Sequence, residues 1–198
     1  MASATVSAVD GVDREQLILD TAAELFHEKG FHGAGMDELG TRAGLSGPAL
    51  YRHFGGKNEI LAAVLTEALD ELVGATTALL PDPVADLRRL VHHHVSFVVA
   101  RRALVTVYQR EDRSLVAPWR TEFDRRRRRY VERWESAVGR AVPGADPAAV
   151  AAATQCSLGT IFSVASWPHR ILESPAAVGL GQEYVLRGLG LLGSDLTP

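Results

Sequence analysis

Apolar residues recur every three to four positions along nearly the whole chain, and no segment shows the strict alternation of a strand. Between Asp13 and Lys29, Leu17, Ile18, Ala22, Leu25 and Phe26 share one helical face, and Gly30 ends the helix. A short second helix, Met36–Ala43, carries Met36, Leu39 and Ala43 on one side. Gly44 stops it, because glycine readily takes the left-handed conformation that closes helices. Leu45 plugs the turn. Ser46 stands where a hydroxyl caps the next helix, and Pro48 sits in that helix's first turn, where a missing N–H costs little. Two short helices around a tight turn form a helix-turn-helix, the unit that lays its second helix in the DNA major groove.

A fourth helix runs from Lys57 toward Leu79 on Ile60, Leu61, Val64, Leu65, Ala68 and Leu72. Pro81 and Pro83 break the chain after it. Val84–Arg101, Leu104–Glu111 and Pro118–Ala141 continue the helical pattern. Asp146 caps a further helix with Pro147 at its first position, and that helix runs to Trp167. The last helix covers Val178–Leu192. The predicted fold is all-α, with about nine helices.

The chain has 198 residues and 46% hydrophobic residues, enough to bury the core of one large or two small domains. One cysteine, Cys156, excludes an intramolecular disulfide and a cysteine-rich zinc site, which fits a reducing cytoplasm. Met1 to Gly11 has no basic n-region and no long apolar core, so it reads as a disordered arm and not a signal peptide. The net charge of −3 does not advertise nucleic-acid binding, and acidic residues outnumber basic ones between Asp13 and Glu59. The DNA-binding expectation rests on the motif. Arg42, Arg52 and Lys57 follow the acidic part of the segment, and helix N-termini add phosphate donors without formal charge.

A longer pattern carries a resemblance. It comprises Ala22–Ala23, Leu25–Phe26, Gly30–Phe31, Met36-Asp37-Glu38-Leu39, Ala43-Gly44-Leu45-Ser46, Leu50-Tyr51-Arg52-His53-Phe54, and Lys57 with Glu59-Ile60-Leu61. In these residues the chain resembles the TetR family of bacterial transcriptional regulators. The resemblance covers the first third of the chain. It implies an N-terminal three-helix helix-turn-helix DNA-binding domain over residues 1–56. For residues 57–198 it implies a helical effector-binding and dimerisation domain, in which the last two helices of each subunit build a four-helix bundle. There are departures. Ala34 and Gly35 stand where the family usually has Thr or Ser, Gly47 replaces a frequent lysine, and Gly40 sits inside the second helix at a propensity cost of roughly 1 kcal/mol.

The candidate DNA-binding residues are Thr41, Arg42, Ser46, Gly47, Ala49, Tyr51, Arg52, His53 and Lys57. Tyr51 and Lys57 resemble the family's phosphate contacts. Arg42 or Arg52 reading a guanine would make the usual bidentate pair. Phe54 reads as core.

In the C-terminal part, Phe97, Tyr108, Trp119, Phe123, Tyr130, Trp134, Phe162 and Trp167 are candidates for lining an apolar effector pocket between helices, although most aromatics simply pack. The run Arg125 to Arg129 points in every direction around a helix and reads as a solvated segment with i,i+4 pairs such as Glu122–Arg126 and Arg128–Glu132. Its functional alternative is an anion-binding arginine. His92-His93-His94 lacks the i,i+4 spacing of a helical metal site and reads as surface or interface histidines. Ala148 to Trp167 carries no charge, but Thr154, Gln155, Ser157, Thr160 and Ser163 make it too polar for lipid. Its small residues and the glycine-rich last helix mark a dimer interface.

No Gly-x-Ser-x-Gly elbow, phosphate loop or His/Glu metal motif is present, so no catalytic residue, metal site or cofactor is expected, and the chain is not expected to be an enzyme. The expected function is a cytoplasmic, ligand-responsive repressor. It binds a palindromic double-stranded operator as a homodimer through its last two helices and is released by a small, largely apolar effector, with no membrane partner. Two rivals are a regulator of lipid or acyl-CoA metabolism with an anionic acyl ligand, and a helical small-molecule-binding protein without DNA binding.

Overall fold

A computed structural model describes the backbone of residues 3–190 and the side chains of residues 14–190. Among the described residues the secondary structure is helical, with ten α-helices. They are α1 (Ser3–Gly33), α2 (Met36–Arg42), α3 (Gly47–His53), α4 (Lys57–Gly74), α5 (Pro83–Ala100), α6 (Arg102–Glu111), α7 (Trp119–Ala141), α8 (Pro147–Ser163), α9 (His169–Leu172) and α10 (Pro175–Gly190). Two single 3-10 turns, Asp112–Ser114 and Val164–Ser166, follow α6 and α8.

The differences from the periodicity have local causes. Helix α1 begins at Ser3, inside the stretch expected to be a disordered arm, because extending an existing helix adds one hydrogen bond per residue without a new nucleus. Met1 and Ala2 lie outside the described residues, as do Leu191 and Leu192 at the expected end of the last helix. The regular first helix ends at Gly30, whose φ 73 and ψ 161 are non-helical, and past this kink one further turn reaches Gly33. Helix α4 stops at Gly74, short of Leu79. Beyond it the Thr76 hydroxyl is buried and donates back to Leu72 O at 2.9 Å, and Thr77 does the same to Val73 O. The tenth helix is α9, a single turn between Pro168 and Pro175 where a loop was expected.

Packing divides the chain into two compact units, residues 1–68 with 106–123, and residues 69–105 with 124–198. This is a different cut from the functional one expected after residue 56, which is carried into the proposal below. The first unit buries Ile18, Ala22, Leu25 and Phe26 of α1 together with Leu39, Leu50, Phe54, Ile60, Leu61 and Leu65. Leu17, expected on the same face of α1, is exposed. At the α1 kink the Phe31 N–H donates to the buried Glu111 carboxylate at 3.1 Å, which gives a donor freed by the kink a partner.

In the second unit α5, α8 and α10 pack on one another. Its core holds Leu90, Val91, Val95 and Val98 of α5, Trp134 and Val138 of α7, Leu158 and Ile161 of α8, and Leu189 of α10. Asp86, on the first turn of α5, is fully buried and gathers three guanidinium groups. Arg133 Nη2 reaches both carboxylate oxygens at 2.9 Å, Arg89 donates at 3.0 Å and Arg140 at 3.1 Å. The same arginines also donate to the α4–α5 connection: Arg133 to Thr76 O, Arg140 to Leu80 O and Arg89 to Ala78 O. One carboxylate thus ties the threonine-containing linker between α4 and α5 to two long helices.

Candidate nucleic-acid interface and effector region

The turn between α2 and α3 forms for identifiable reasons. Gly44 takes φ +66, and Leu45 N–H returns to Gly40 O at 2.8 Å. A methyl group on Gly40 would sit 3.2 Å from Leu45 O, so the glycine that weakens α2 as a helix also makes room for the turn. Gly35 is the N-cap of α2 without a side-chain bond, and Asp37 and Glu38 in the first turn favour the positive end of the helix. Ser46 is the N-cap of α3, but its hydroxyl caps nothing. A capping oxygen accepts from the second or third helical N–H. Pro48 has removed the first of these donors, and the other, the Ala49 N–H, donates to Ser46 O at 2.9 Å. The Ser46 hydroxyl is therefore exposed and uncommitted to the helix.

Helix α3 separates its faces cleanly. Leu50 and Phe54 are buried at i and i+4, whereas Tyr51 is 54% exposed and Arg52 lies beside it on the solvent side. Thr41, Arg42 and Ser46 are also exposed, and Gly47, Ala49, His53 and Lys57 are half-exposed. Their present partners differ. Arg42 pairs with Glu28 at 2.8 Å and Glu38 at 2.9 Å. Lys29 pairs with Glu38 at 2.7 Å. These pairings raise the Arg42 pKa, through the Glu28 hydrogen bond first and Glu38 second. The Lys29 hydrogen bond, aided by Arg42 against partial burial, lowers that of Glu38. The acidic surplus of the segment is thus partly spent neutralising its own cations.

The Thr41 hydroxyl donates to Asp37 O at 2.9 Å, and His53 Nδ1 lies 3.6 Å from Glu15 Oε1. Lys57 is the most committed of the set. Its ammonium donates to Ala34 O at 2.9 Å and to His32 O at 3.4 Å, and it stands 4.6 Å from the Phe31 ring centroid. It therefore satisfies carbonyls at the end of α1, a position that also favours a cation.

The aromatic candidates fall into separate groups. Tyr108 and Phe123 belong to the first unit and stack obliquely with ring centroids 6.0 Å apart. Trp119, in the same unit, is half-buried. In the second unit His94 sits among Tyr130, Trp134 and Phe162, with centroid distances of 5.7, 5.7 and 5.2 Å and edge-on geometries. Phe97 is buried. Trp167 lines a separate, partly open cleft of about 370 Å³ along α8, α9 and α10; the other seven aromatics do not line it.

His94 corrects the expectation of a surface histidine run. His92 is exposed, but His94 is fully buried and makes a 3.0 Å hydrogen bond with the Tyr130 hydroxyl. Burial, with a smaller effect from His93, lowers the His94 pKa to about 3, so the ring is neutral. Burial likewise raises the Tyr130 pKa, against opposing effects of the Trp134 N–H and the Arg133 charge. The helical phase of His94, three and four positions from Val91, Leu90, Phe97 and Val98, was the available signal for a core histidine.

The arginine run is partly paired on the surface. Arg126 Nη1 reaches both oxygens of Asp70 at 2.8 and 2.7 Å, and Arg127 meets Asp124 at 3.1 Å. The arginines that hold the buried Asp86 carboxylate, Arg89, Arg133 and Arg140, all lie outside the run. Among the described residues no three histidine, cysteine, aspartate or glutamate side chains gather as a metal would require. Cys156 is exposed. Residues Pro147–Ser166 are long and apolar enough to cross a membrane by length and mean hydropathy, 1.4 over the richest window.

The family description for bacterial regulatory proteins of the tetR family matches residues 18–64, and that for a tetracyclin repressor-like C-terminal domain matches residues 81–169. Together they take in more than half of the chain. The transcriptional activator FasR of Mycolicibacterium smegmatis is 41% identical over 78 residues, 39% of this chain and 36% of that protein. The transcriptional repressor KstR2 of Rhodococcus jostii is 32% identical over 107 residues, 52% of each chain. The chain thus spans between about a third and a half of the length of these curated relatives. The crystal structure of PfmR, a regulator from Thermus thermophilus, superposes with a TM-score of 0.74 at 28% identity, over 91% of this chain and 99% of that one.

Proposed function

Because the chain belongs to the TetR family of bacterial regulatory proteins, we propose that it is a DNA-binding transcriptional regulator that answers to a small molecule. Residues 1–56 bind the operator, and residues 57–198 hold the effector and join two subunits. The observation that carries this is α3. It buries Leu50 and Phe54 and turns Tyr51, Arg52 and the unused Ser46 hydroxyl to solvent, on a short helix held by a tight turn.

In this reading Arg52 reads base edges, and Thr41, Ser46, Gly47, Ala49 and Tyr51 contact the groove or its phosphates. Arg42 and His53 do so by exchanging a carboxylate for a phosphate. Lys57 acts first on the carbonyls of the α1 end and meets DNA only as a neighbouring charge. Two recognition helices read half-sites spaced by helical repeats of a palindrome.

Self-association through α8 and α10 is supported by an exposed, uncharged stripe on α8, comprising Ala148, Ala152, Cys156, Gly159 and Ser163, and by exposed Leu180 and Tyr184 on α10. This is also the reason to read the apolar α8 segment as a helix covered by a second subunit in the cytoplasm and not as a membrane span. The effector region draws on Phe97, Tyr108, Trp119, Phe123, Tyr130, Trp134, Phe162 and Trp167. The relatives include an activator and a repressor by name; we assign repression here, relieved when the effector favours a conformer with misplaced recognition helices.

A gel-shift titration with DNA flanking the chain's own coding region tests the proposal. A shift that saturates at two chains per site and weakens steeply with salt is expected. Equal, weak binding to that DNA and to unrelated DNA would leave only the alternative of a helical small-molecule-binding protein.

A further inference from the structure

The chain leaves α1 through the single turn after the Gly30 kink, and two charged side chains grip that turn from opposite ends. At its start the Phe31 N–H donates to Glu111 Oε1 at 3.1 Å. At its end the Lys57 ammonium donates to Ala34 O at 2.9 Å and His32 O at 3.4 Å. An anion at the N–H end and a cation at the carbonyl end match the dipole of the turn between them. Phe31 itself is buried, its ring 5.5 Å from that of Phe26. Only Gly35 separates Ala34 from Met36, the first residue of α2. The direction of the chain at Phe31 is therefore passed to α2 and, across the Gly44 turn, to α3.

Glu111 is held in that place from several sides. It ends α6, is 9% exposed, and accepts the Ser114 hydroxyl on its other oxygen at 3.2 Å. Gly30 makes room for it, since a methyl group there would stand 3.3 Å from Glu111 Oε1. The neighbouring Arg110 donates to His27 O at 3.4 Å, so the last two residues of α6 touch α1 on both sides of the kink. All of these residues belong to the first compact unit. A neutral acceptor would satisfy the Phe31 N–H, whereas an ionised carboxylate makes a shorter bond of about twice the strength.

We propose that Glu111 is a positioning residue for operator recognition. By holding the Phe31 N–H it sets the pose of α2 and α3, and with it the discrimination between operator and unrelated DNA. The claim rests on the reading of α3 as the recognition helix, and it adds a residue of α6, outside the helix-turn-helix. Glu111 acts through Phe31 and touches no DNA. Attraction to arbitrary DNA depends on phosphate charge and tolerates a range of poses. Hydrogen bonds to base edges do not, because they need a side chain at a set distance and angle. Loss of the Glu111 acceptor is therefore felt in discrimination and hardly in attraction.

The test compares Glu111→Met, which keeps the bulk and removes the acceptor, with Glu111→Gln, which removes the charge and keeps an acceptor. Amide spectra of the full, isotope-labelled chain come first. In Glu111→Met the amides of α2 and α3 are expected to shift along with Phe31, and in Glu111→Gln the change should stay near Phe31. In gel shifts Glu111→Met should lose about tenfold of its preference for DNA flanking its own coding region over unrelated DNA, with affinity for the unrelated DNA unchanged. Glu111→Gln should keep most of that preference. Ser114→Ala, which loosens the carboxylate without removing it, should lose about threefold. Amide shifts that stop at the kink, an equal loss on both DNAs, or a Gln variant as impaired as the Met variant overturns the proposal. Should Glu111→Met not fold, an unchanged Ser114→Ala overturns it. A wild-type chain that does not distinguish the two DNAs sinks the recognition reading instead, and the spectra still decide whether Glu111 poses α2 and α3.

Discussion

The two compact units solve the same problem, burying apolar faces of helices, with different means. The first unit uses short helices and glycine-controlled turns. Its two shortest helices, α2 and α3, bury little beyond Leu39 and Leu50, and apart from the Glu111 carboxylate at the α1 kink its ion pairs lie at the surface. The second unit uses long helices and puts polar groups inside: Asp86 among arginines and His94 among aromatic rings. The difference matters for function. A recognition surface needs side chains that can change partners, and surface ion pairs contribute only about 0–1 kcal/mol, so releasing Arg42 from glutamates costs little. A buried carboxylate under three guanidiniums cannot be exchanged in that way, and it holds the linker between α4 and α5 to one arrangement.

The sharpest way to break this contrast is Asp86→Ala. It leaves Arg89, Arg133 and Arg140 facing one another without their carboxylate, and unfolding free energy measured in urea should fall by about 3–5 kcal/mol. The comparable truncation in the first unit, Leu50→Ala, should cost about 2–5 kcal/mol and abolish the DNA shift with it, because Leu50 packs α3 in place. On the exposed face of the same helix, Arg52→Ala should leave the melting temperature unchanged and weaken operator binding by about 1–3 kcal/mol, with preference lost at particular base pairs. A uniform loss across sequences would make Arg52 a phosphate contact instead.

Acid provides a milder test. His94 has a folded pKa of about 3 against an ordinary value of 6.5, so the unfolded chain binds more protons between those values and stability must decline as pH falls from about 6.5 toward 3. Asp86 acts in the same direction. Burial raises its pKa, but the Arg89 hydrogen bond, the Leu80 N–H and Arg133 outweigh that effect and hold it below 3.8, so its contribution is lost as pH drops below that value. His94→Phe should flatten the decline above pH 4 and leave the part due to Asp86, as followed by thermal melts across the range. The smallest expected change is Gly35→Ser, which supplies α2 with a capping hydroxyl and should stabilise the chain by a few tenths of a kcal/mol.

The helix-turn-helix was legible because its information is local. Apolar spacing, the left-handed Gly44 and the position of Pro48 each act within a few residues, and they placed α2, the turn and α3 to within about a residue. The same local view misassigned the Ser46 hydroxyl, since it weighed serine's capping preference without the donor that Pro48 removes and the one that Ser46 O takes. Periodicity also placed α5 to α8 closely, while the one-turn α9 and the end of α4 escaped because glycine, threonine and proline signals there were read only as breaks. Asp86 gave no sign of its role, because its partners Arg133 and Arg140 lie about fifty residues away and look like any other charges on an arginine-rich helix.

The order of the helices, the recognition turn and the face of α3 that meets solvent follow from the sequence alone, since they depend on neighbours in the chain. Which hydroxyl and rings surround His94, which arginines hold a carboxylate, that Lys57 caps α1, and that Trp167 walls a cleft against Gly181 were decided only by tertiary packing. These properties belong to pairs of distant residues, and a pair has no energy until the fold brings its members within a few ångströms.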